Sequence, residues 1–215
     1  NWNGFKVCWS VLGEENTHPI IFLHGFGASS KHWRKNLDYF AKRNFATYSL
    51  DLIGFGDSDQ PGLREIGPLD NGVWCNQVKD FIREVIKPNN SMKVILIGNS
   101  LGALVALTCA VTLENEIETV IASPLPDQIQ KDGKQRRLNP FLVKLKNKFI
   151  KLFFILCPLE IILFLVNKLG FIKLGLKSAY FKKTNINYEL LEIIRKPVLR
   201  STAAKSLRAM CIGMS

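Results

Sequence analysis

Val94-Ile95-Leu96-Ile97 runs without a break into Gly98-Asn99-Ser100-Leu101-Gly102, and an Ala- and Leu-rich stretch to Leu113 follows at once. Few folds tolerate such a junction. A short, wholly apolar run suits a strand buried on both faces of a parallel sheet, and the segment after it has helical composition. The chain must turn from strand to helix within a few residues. Residues two positions either side of Ser100 must then be tiny, because a larger side chain would collide with neighbouring backbone. A serine on such a turn is held in a strained conformation at a helix N-terminus, with helix amides and the positive dipole end aimed at the reacting oxygen. The G-x-S-x-G spacing therefore marks Ser100 as a candidate nucleophile. A plain strand-to-helix turn that happens to contain serine is the competing reading; both glycines and both flanking elements count against it.

The residues before and after this junction repeat the same alternation. Phe5 to Leu12 reads as a first strand, Ile20 to Leu23 as a buried one, and Trp33 to Arg43 as a helix with Trp33, Leu37 and Phe40 on one face. A strand from Phe45 to Leu50 precedes a Pro/Gly loop around Pro61 to Gly72. An amphipathic helix from Val73 to Ile86 follows, with Trp74, Val78, Phe81, Ile82 and Val85 as its apolar stripe. Ile117 to Ala122 is the next strand. Alternating strands and helices imply right-handed crossovers and an α/β architecture, a mostly parallel sheet covered on both faces. From about residue 128 to Pro197 the periodicity is helical, lysines are frequent and no strand appears. The expected organisation is a core at 1–127, a helical, basic and hydrophobic cap at 128–200, and a return to the core at 201–215.

Two further segments follow strands. His24-Gly25-Phe26-Gly27 comes directly after Ile20–Leu23, where a loop amide, most simply that of Phe26, can join the Leu101 amide in an oxyanion hole. His24, Gly25 and Gly27 then serve the shape of that loop, as Gly98, Asn99 and Gly102 serve the turn at Ser100. Asp51-x-x-Gly54-x-Gly56-x-Ser58 follows the next strand and reads as structural, with Asp51 capping its loop.

His18 to Ser58, the turn around Ser100 and the strand ending in Ala122-Ser123-Pro124 together resemble the α/β-hydrolase superfamily. More narrowly they resemble its pheophytinase-like branch of photosynthetic bacteria and plastids. That branch shows a similar H-G-F-G, a D-x-x-G-x-G-x-S, a G-N-S-x-G-G turn, and a comparable cap leading to a tyrosine near position 180 and to Ile194-x-x-Pro197. Ala103 stands where the branch has a second glycine. The resemblance implies an α/β-hydrolase fold with a helical cap inserted and a serine hydrolase acting through an acyl-serine intermediate. Relatives that open epoxides or displace halide carry aspartate at the position of Ser100, which argues against those reactions here.

In this fold the catalytic residues run nucleophile, acid, histidine along the chain. His18, His24 and His32 all precede Ser100, so none fits as the base. Asp127 is one candidate acid, although Pro124 to Asp127 reads better as the hinge into the cap. The sequence is accordingly expected to be a C-terminally truncated piece, without the last strands, of a longer enzyme. The alternative is a non-catalytic hydrolase-fold protein that binds a lipid or pigment.

Charge is distributed unevenly. Of a net +11, residues 1–130 carry 11 Lys and Arg against 14 Asp and Glu, and residues 131–215 carry 18 against 4. Phe141 to Leu156 can be wound as a helix with Lys144, Lys148 and Lys151 along one side; Pro158 breaks it, and Leu159 to Leu169 is almost wholly apolar. A spanning helix needs about 20 uninterrupted apolar residues, and Lys151, Pro158 and Glu160 spoil that. Lid helices over an apolar ester substrate are the expected use, with shallow contact on an anionic membrane surface as a second one. No recognisable nucleic-acid module surrounds the lysines. The acyl-enzyme route needs no metal or organic cofactor. Cys8, Cys75, Cys109, Cys157 and Cys211 have no metal-ligand spacing and read as small hydrophobes in a reducing compartment. The expected site is cytoplasmic, or plastidic in a eukaryote, and membrane-peripheral if the cap meets lipid. No signal peptide is visible, but the chain begins Asn1-Trp2 rather than with Met, which leaves export open.

Overall fold

The computed structural model describes residues 1–16, 18–87, 92–123, 140–168, 170–179 and 186–214. Asp127, the Pro124 to Asp127 hinge and Tyr180 lie outside these residues. Five strands, β1 (Trp9–Leu12), β2 (His18–Leu23), β3 (Phe45–Leu50), β4 (Val94–Gly98) and β5 (Ile117–Ala122), form one sheet in the order β1-β3-β2-β4-β5. β1 runs antiparallel to β3, and the other neighbours are parallel. The register sets Leu50 beside Leu23, Leu23 beside Gly98 and Gly98 beside Ala122. The loops after β2, β3, β4 and β5 therefore leave from one edge of the sheet.

Why these strands form is visible in their side chains. Ile20 to Leu23 are almost wholly excluded from solvent, as a central strand with helices on both faces requires. β3 is less uniform: Ala46, Tyr48 and Leu50 face one side, while Thr47 and Ser49 are buried on the other. The Thr47 hydroxyl donates towards the Leu12 and Leu37 carbonyls, and the Ser49 and Ser10 hydroxyls share a 2.8 Å hydrogen bond. Their polarity is thereby satisfied inside the core.

Helix α1 (Arg34–Ala41), entered through a 3₁₀ turn at Ser30–Trp33, covers one face. There Leu37 meets Ile20, Phe22 and Ile97, with Trp33 and Phe40 around them. α2 (Leu63–Ile66), α3 (Asn71–Phe81) and α4 (Leu101–Thr112) come next in the chain. α3 and α4 cover the opposite face, where Trp74, Val78, Phe81, Val105, Ala106 and Cys109 pack with Ile21, Leu23 and Leu96. The Asp70 carboxylate caps α3 by accepting from the Val73 amide at 3.0 Å.

After β5 the described chain is helical: α5 (Pro140–Leu156), α6 (Leu159–Lys168), α7 (Phe171–Ala179), α8 (Tyr188–Val198) and α9 (Ala203–Gly213). α9 carries Ala209 and Met210 into the main core, and the Ala209 carbonyl accepts from the Leu69 amide at 3.1 Å. Among the described residues no single helix is long and apolar enough to cross a membrane. Lys148–Leu156 and Leu159–Lys168 pass such a test only as a pair, bent by 71° at their junction.

Local departures from the sequence expectations have physical causes. β1 begins at Trp9 rather than Phe5, because Lys6 and Cys8 bond the loop at Ser58 and Asp59 instead of a strand. The Pro/Gly loop hides the short α2, whose Glu65 carboxylate accepts from the Gly62 amide at 2.6 Å. α3 ends in a π turn over Ile82–Ile86, which swings Val85 from the predicted stripe into solvent. Cys75, Cys109 and Cys157 are buried as small hydrophobes, whereas Cys8 and Cys211 are half-buried; all five are free thiols.

Candidate functional site

Ser100 stands at the end of β4 and is the N-cap of α4, with φ +52° and ψ −110°. A non-glycine residue at positive φ is held there by its surroundings at a cost of about 1–3 kcal/mol. The surroundings are backbone. A Cβ added to Gly98 would strike the Gly102 carbonyl, and one added to Gly102 would strike the Leu23 carbonyl. β2, the turn and the first turn of α4 thus approach one another more closely than any side chain allows. The Asn99 amide donates to the Leu23 carbonyl at 3.1 Å, and its side-chain amide to the Ser123 carbonyl at 3.1 Å. These bonds join three neighbouring strand ends under the serine. The Ser100 carbonyl accepts from Ala103 and Leu104, but its hydroxyl is half-buried and takes no partner among the described residues.

The loop after β2 flanks this turn. Gly25 lies so close to Asn99 that an added Cβ would sit 2.8 Å from its Oδ1, and Gly27 adopts φ +70°. Neither the Phe26 amide nor the Leu101 amide finds an acceptor among the described residues. Two amide donors therefore flank the serine uncommitted.

His24 is fully buried and fully occupied. Its Nε2 accepts from the Leu52 amide at 3.1 Å, which leaves Nδ1 to carry the proton and donate to the Gly25 carbonyl at 2.8 Å. Burial pushes its pKa below the ordinary histidine value, against the opposing pull of Asp51. The ring is a neutral strut between two loops with no nitrogen left for proton transfer. His18 lies at the other end of β2, five residues before Leu23, so it is about 16 Å along the strand from the turn. Asp51 is buried and accepts from the Ser30 amide at 2.6 Å and the Asp57 amide at 2.7 Å. It ties the loop after β2 to its own loop.

An open groove runs past Ser100, lined by Phe26, Asp70, Leu101, Leu104 and Met214. Beside it lies a nearly apolar cavity of about 120 Å³, walled by Phe26, Phe55, Leu163, Val198, Leu207 and Met210. Phe26 belongs to both and stands edge-on to Phe55 at 5.5 Å. The sequence did not single out Phe55, Leu163 or Met210 for a site. They belong to three distant segments, and no local signal marks them. Among the described residues no group of His, Cys, Asp and Glu has the arrangement of a metal site.

Comparison with known proteins agrees with this architecture. The chain is 30% identical over 115 residues to the probable lysophospholipase BODYGUARD 4 of Arabidopsis thaliana, which covers 52% of this chain and 26% of that protein. It spans about a quarter to a third of the length of the curated relatives it matches. Among solved structures, an esterase from Thermogutta terrifontis superposes with TM-score 0.64 at 18% identity, over 98% of this chain and 67% of that one. An epoxide hydrolase from Bacillus megaterium superposes with TM-score 0.73 at 20% identity, over 99% and 70%. The family described as alpha/beta hydrolase fold matches residues 18–149. This chain belongs to the α/β-hydrolase family.

Proposed function

We propose that Ser100 is the nucleophile of a serine hydrolase that cleaves a carboxylic ester of a bulky, apolar substrate. The observation that carries this reading is the conformation of Ser100, a side chain held at φ +52° on a turn that needs glycine at positions 98 and 102. The hydroxyl oxygen adds to the ester carbonyl, and its proton passes to a general base. The Phe26 and Leu101 amides receive the oxyanion. Collapse expels the alcohol and leaves an acyl-serine, which water then hydrolyses by the same steps. Phe26, Phe55 and Leu163 favour an apolar acyl or alcohol chain beside the groove. The likeness to the pheophytinase-like branch points to a long isoprenoid ester, and the serine at the turn distinguishes this chain from epoxide-opening relatives.

The base is none of the three histidines in this sequence. His24 has both nitrogens committed, and neither His18 nor His32 lines the groove. The same observation is what favours a second reading, a non-catalytic lipid- or pigment-binding protein. Steady-state hydrolysis of long-chain and short-chain p-nitrophenyl esters by the intact protein separates them. Preference for the long chain, with loss of at least about a thousandfold in Ser100→Ala, supports the enzyme. Tight binding of the long-chain ester without turnover supports the binding protein.

A further inference from the structure

We infer that the elbow formed by α5 and α6 docks this protein onto the surface of an anionic lipid bilayer. Among the described residues, the elbow buries a seam in which Phe154, Cys157, Leu159 and Leu163 pack on Ala204 and Leu207 of α9. On the other side Phe149, Phe153 and Leu156 are 63%, 61% and 73% exposed, and Ile161, Phe164 and Leu165 of α6 are exposed as well. Exposed apolar residues spaced 149, 153, 156 along α5 and 161, 164, 165 along α6 mark an interaction site rather than scattered solvent-facing side chains.

Charge identifies the occupant. Lys148 and Lys151 of α5, Lys168 of α6, and Lys173 and Lys177 of the following α7 are exposed. Between positions 148 and 177 the only acidic residue in the sequence is Glu160, which faces Arg208 at 3.5 Å. Lysines interleaved with exposed aromatics match a negatively charged headgroup layer over acyl chains. They do not match a second copy, which would present the same positive charge.

The bend fits a surface rather than a crossing. α6 has 10 residues, about 15 Å of helix, half the hydrocarbon thickness of a bilayer. Helix breaks are also unwelcome in lipid, because they orphan carbonyls. Pro158 has no amide hydrogen to give the Phe154 carbonyl four residues back. Arg208 supplies the missing donor from the protein side, its Nε to the Phe154 carbonyl at 3.0 Å and its terminal nitrogen to the Cys157 carbonyl at 3.0 Å. Both of these carbonyls at the break are thereby met from the protein side. Leu163 of the same helix walls the apolar cavity, which places that cavity directly behind the docking face.

The test is flotation of the intact protein with vesicles of phosphatidylcholine or of equimolar phosphatidylcholine and phosphatidylserine. It reads no turnover and is run equally on Ser100→Ala, so it stands or falls apart from the catalytic reading. Binding should require phosphatidylserine and weaken with salt. Lys148→Gln and Lys151→Gln should each lower it roughly fivefold, and Phe153→Ser and Leu156→Ser roughly tenfold each. Phe153→Trp keeps the face apolar; its added emission should shift to the blue on phosphatidylserine vesicles and be quenched by brominated lipid. Three results would each overturn the inference: equal binding to both vesicles at every salt concentration, no effect of the serine variants in protein of unchanged circular dichroism, or a lipid-free dimer that those variants dissociate.

Discussion

At Ser100 the backbone, not the side chain, explains the local sequence. Replacing Gly102 by Ala sets a methyl group against the Leu23 carbonyl, and the strand-to-helix approach must open. Gly102→Ala should cost about 1–3 kcal/mol in urea unfolding. Ser100→Gly should do the opposite and stabilise by about 1 kcal/mol, because glycine accepts φ +52° without strain. That pairing separates a strained functional turn from a merely well-packed one. His24 gives a second residue-scale expectation. Its folded pKa lies below its unfolded value, so the unfolded chain binds the extra proton. Its contribution to stability is complete above about pH 6.5 and is lost as pH falls below that value. His32, also lowered by burial, adds to the slope with the same sign. In equilibrium unfolding across this range, His24→Asn should be less stable at neutral pH and show a flatter acid limb than the unsubstituted protein.

At the scale of elements, Arg208 holds the α5–α6 elbow by replacing a hydrogen bond that Pro158 cannot make. Arg208→Met should leave the Phe154 and Cys157 carbonyls unmet and speed amide exchange through α5 and α6, corresponding to about 1.5–3 kcal/mol of local opening. Exchange through β2 and β4 should stay as slow as before. The elements themselves were unevenly legible. β2 and β4 could be read directly, because a strand buried on both faces is a continuous apolar run. The break at Pro158 was equally plain. α2 was not, since four residues inside a Pro- and Gly-rich stretch carry no period. The π turn after Phe81 was hidden for a related reason: one extra residue in a helical turn leaves the sequence pattern intact and rotates only Val85 out of place. The role of Arg208 at the break could not have been read at all, as the two backbone carbonyls it meets there lie about fifty residues away.

Across the whole molecule, the parallel register explains why one edge of the sheet gathers the chemistry. Leu50, Leu23, Gly98 and Ala122 end side by side, so Asp51, His24, Ser100 and Ser123 emerge together. The turn sequence anticipated this edge; the apolar cavity beside it, assembled from loops and from α6, α8 and α9, needed the folded chain. The uneven charge also takes on a spatial meaning, because much of the basic excess sits on helices with exposed aromatic faces. If Ser100 is an activated nucleophile, the intact protein reacts with a fluorophosphonate at that residue. The expected result is a single phosphonylated peptide carrying Ser100, absent in Ser100→Ala protein of unchanged circular dichroism. Failure of the folded protein to react, or equal labelling of the Ser100→Ala variant, would contradict it.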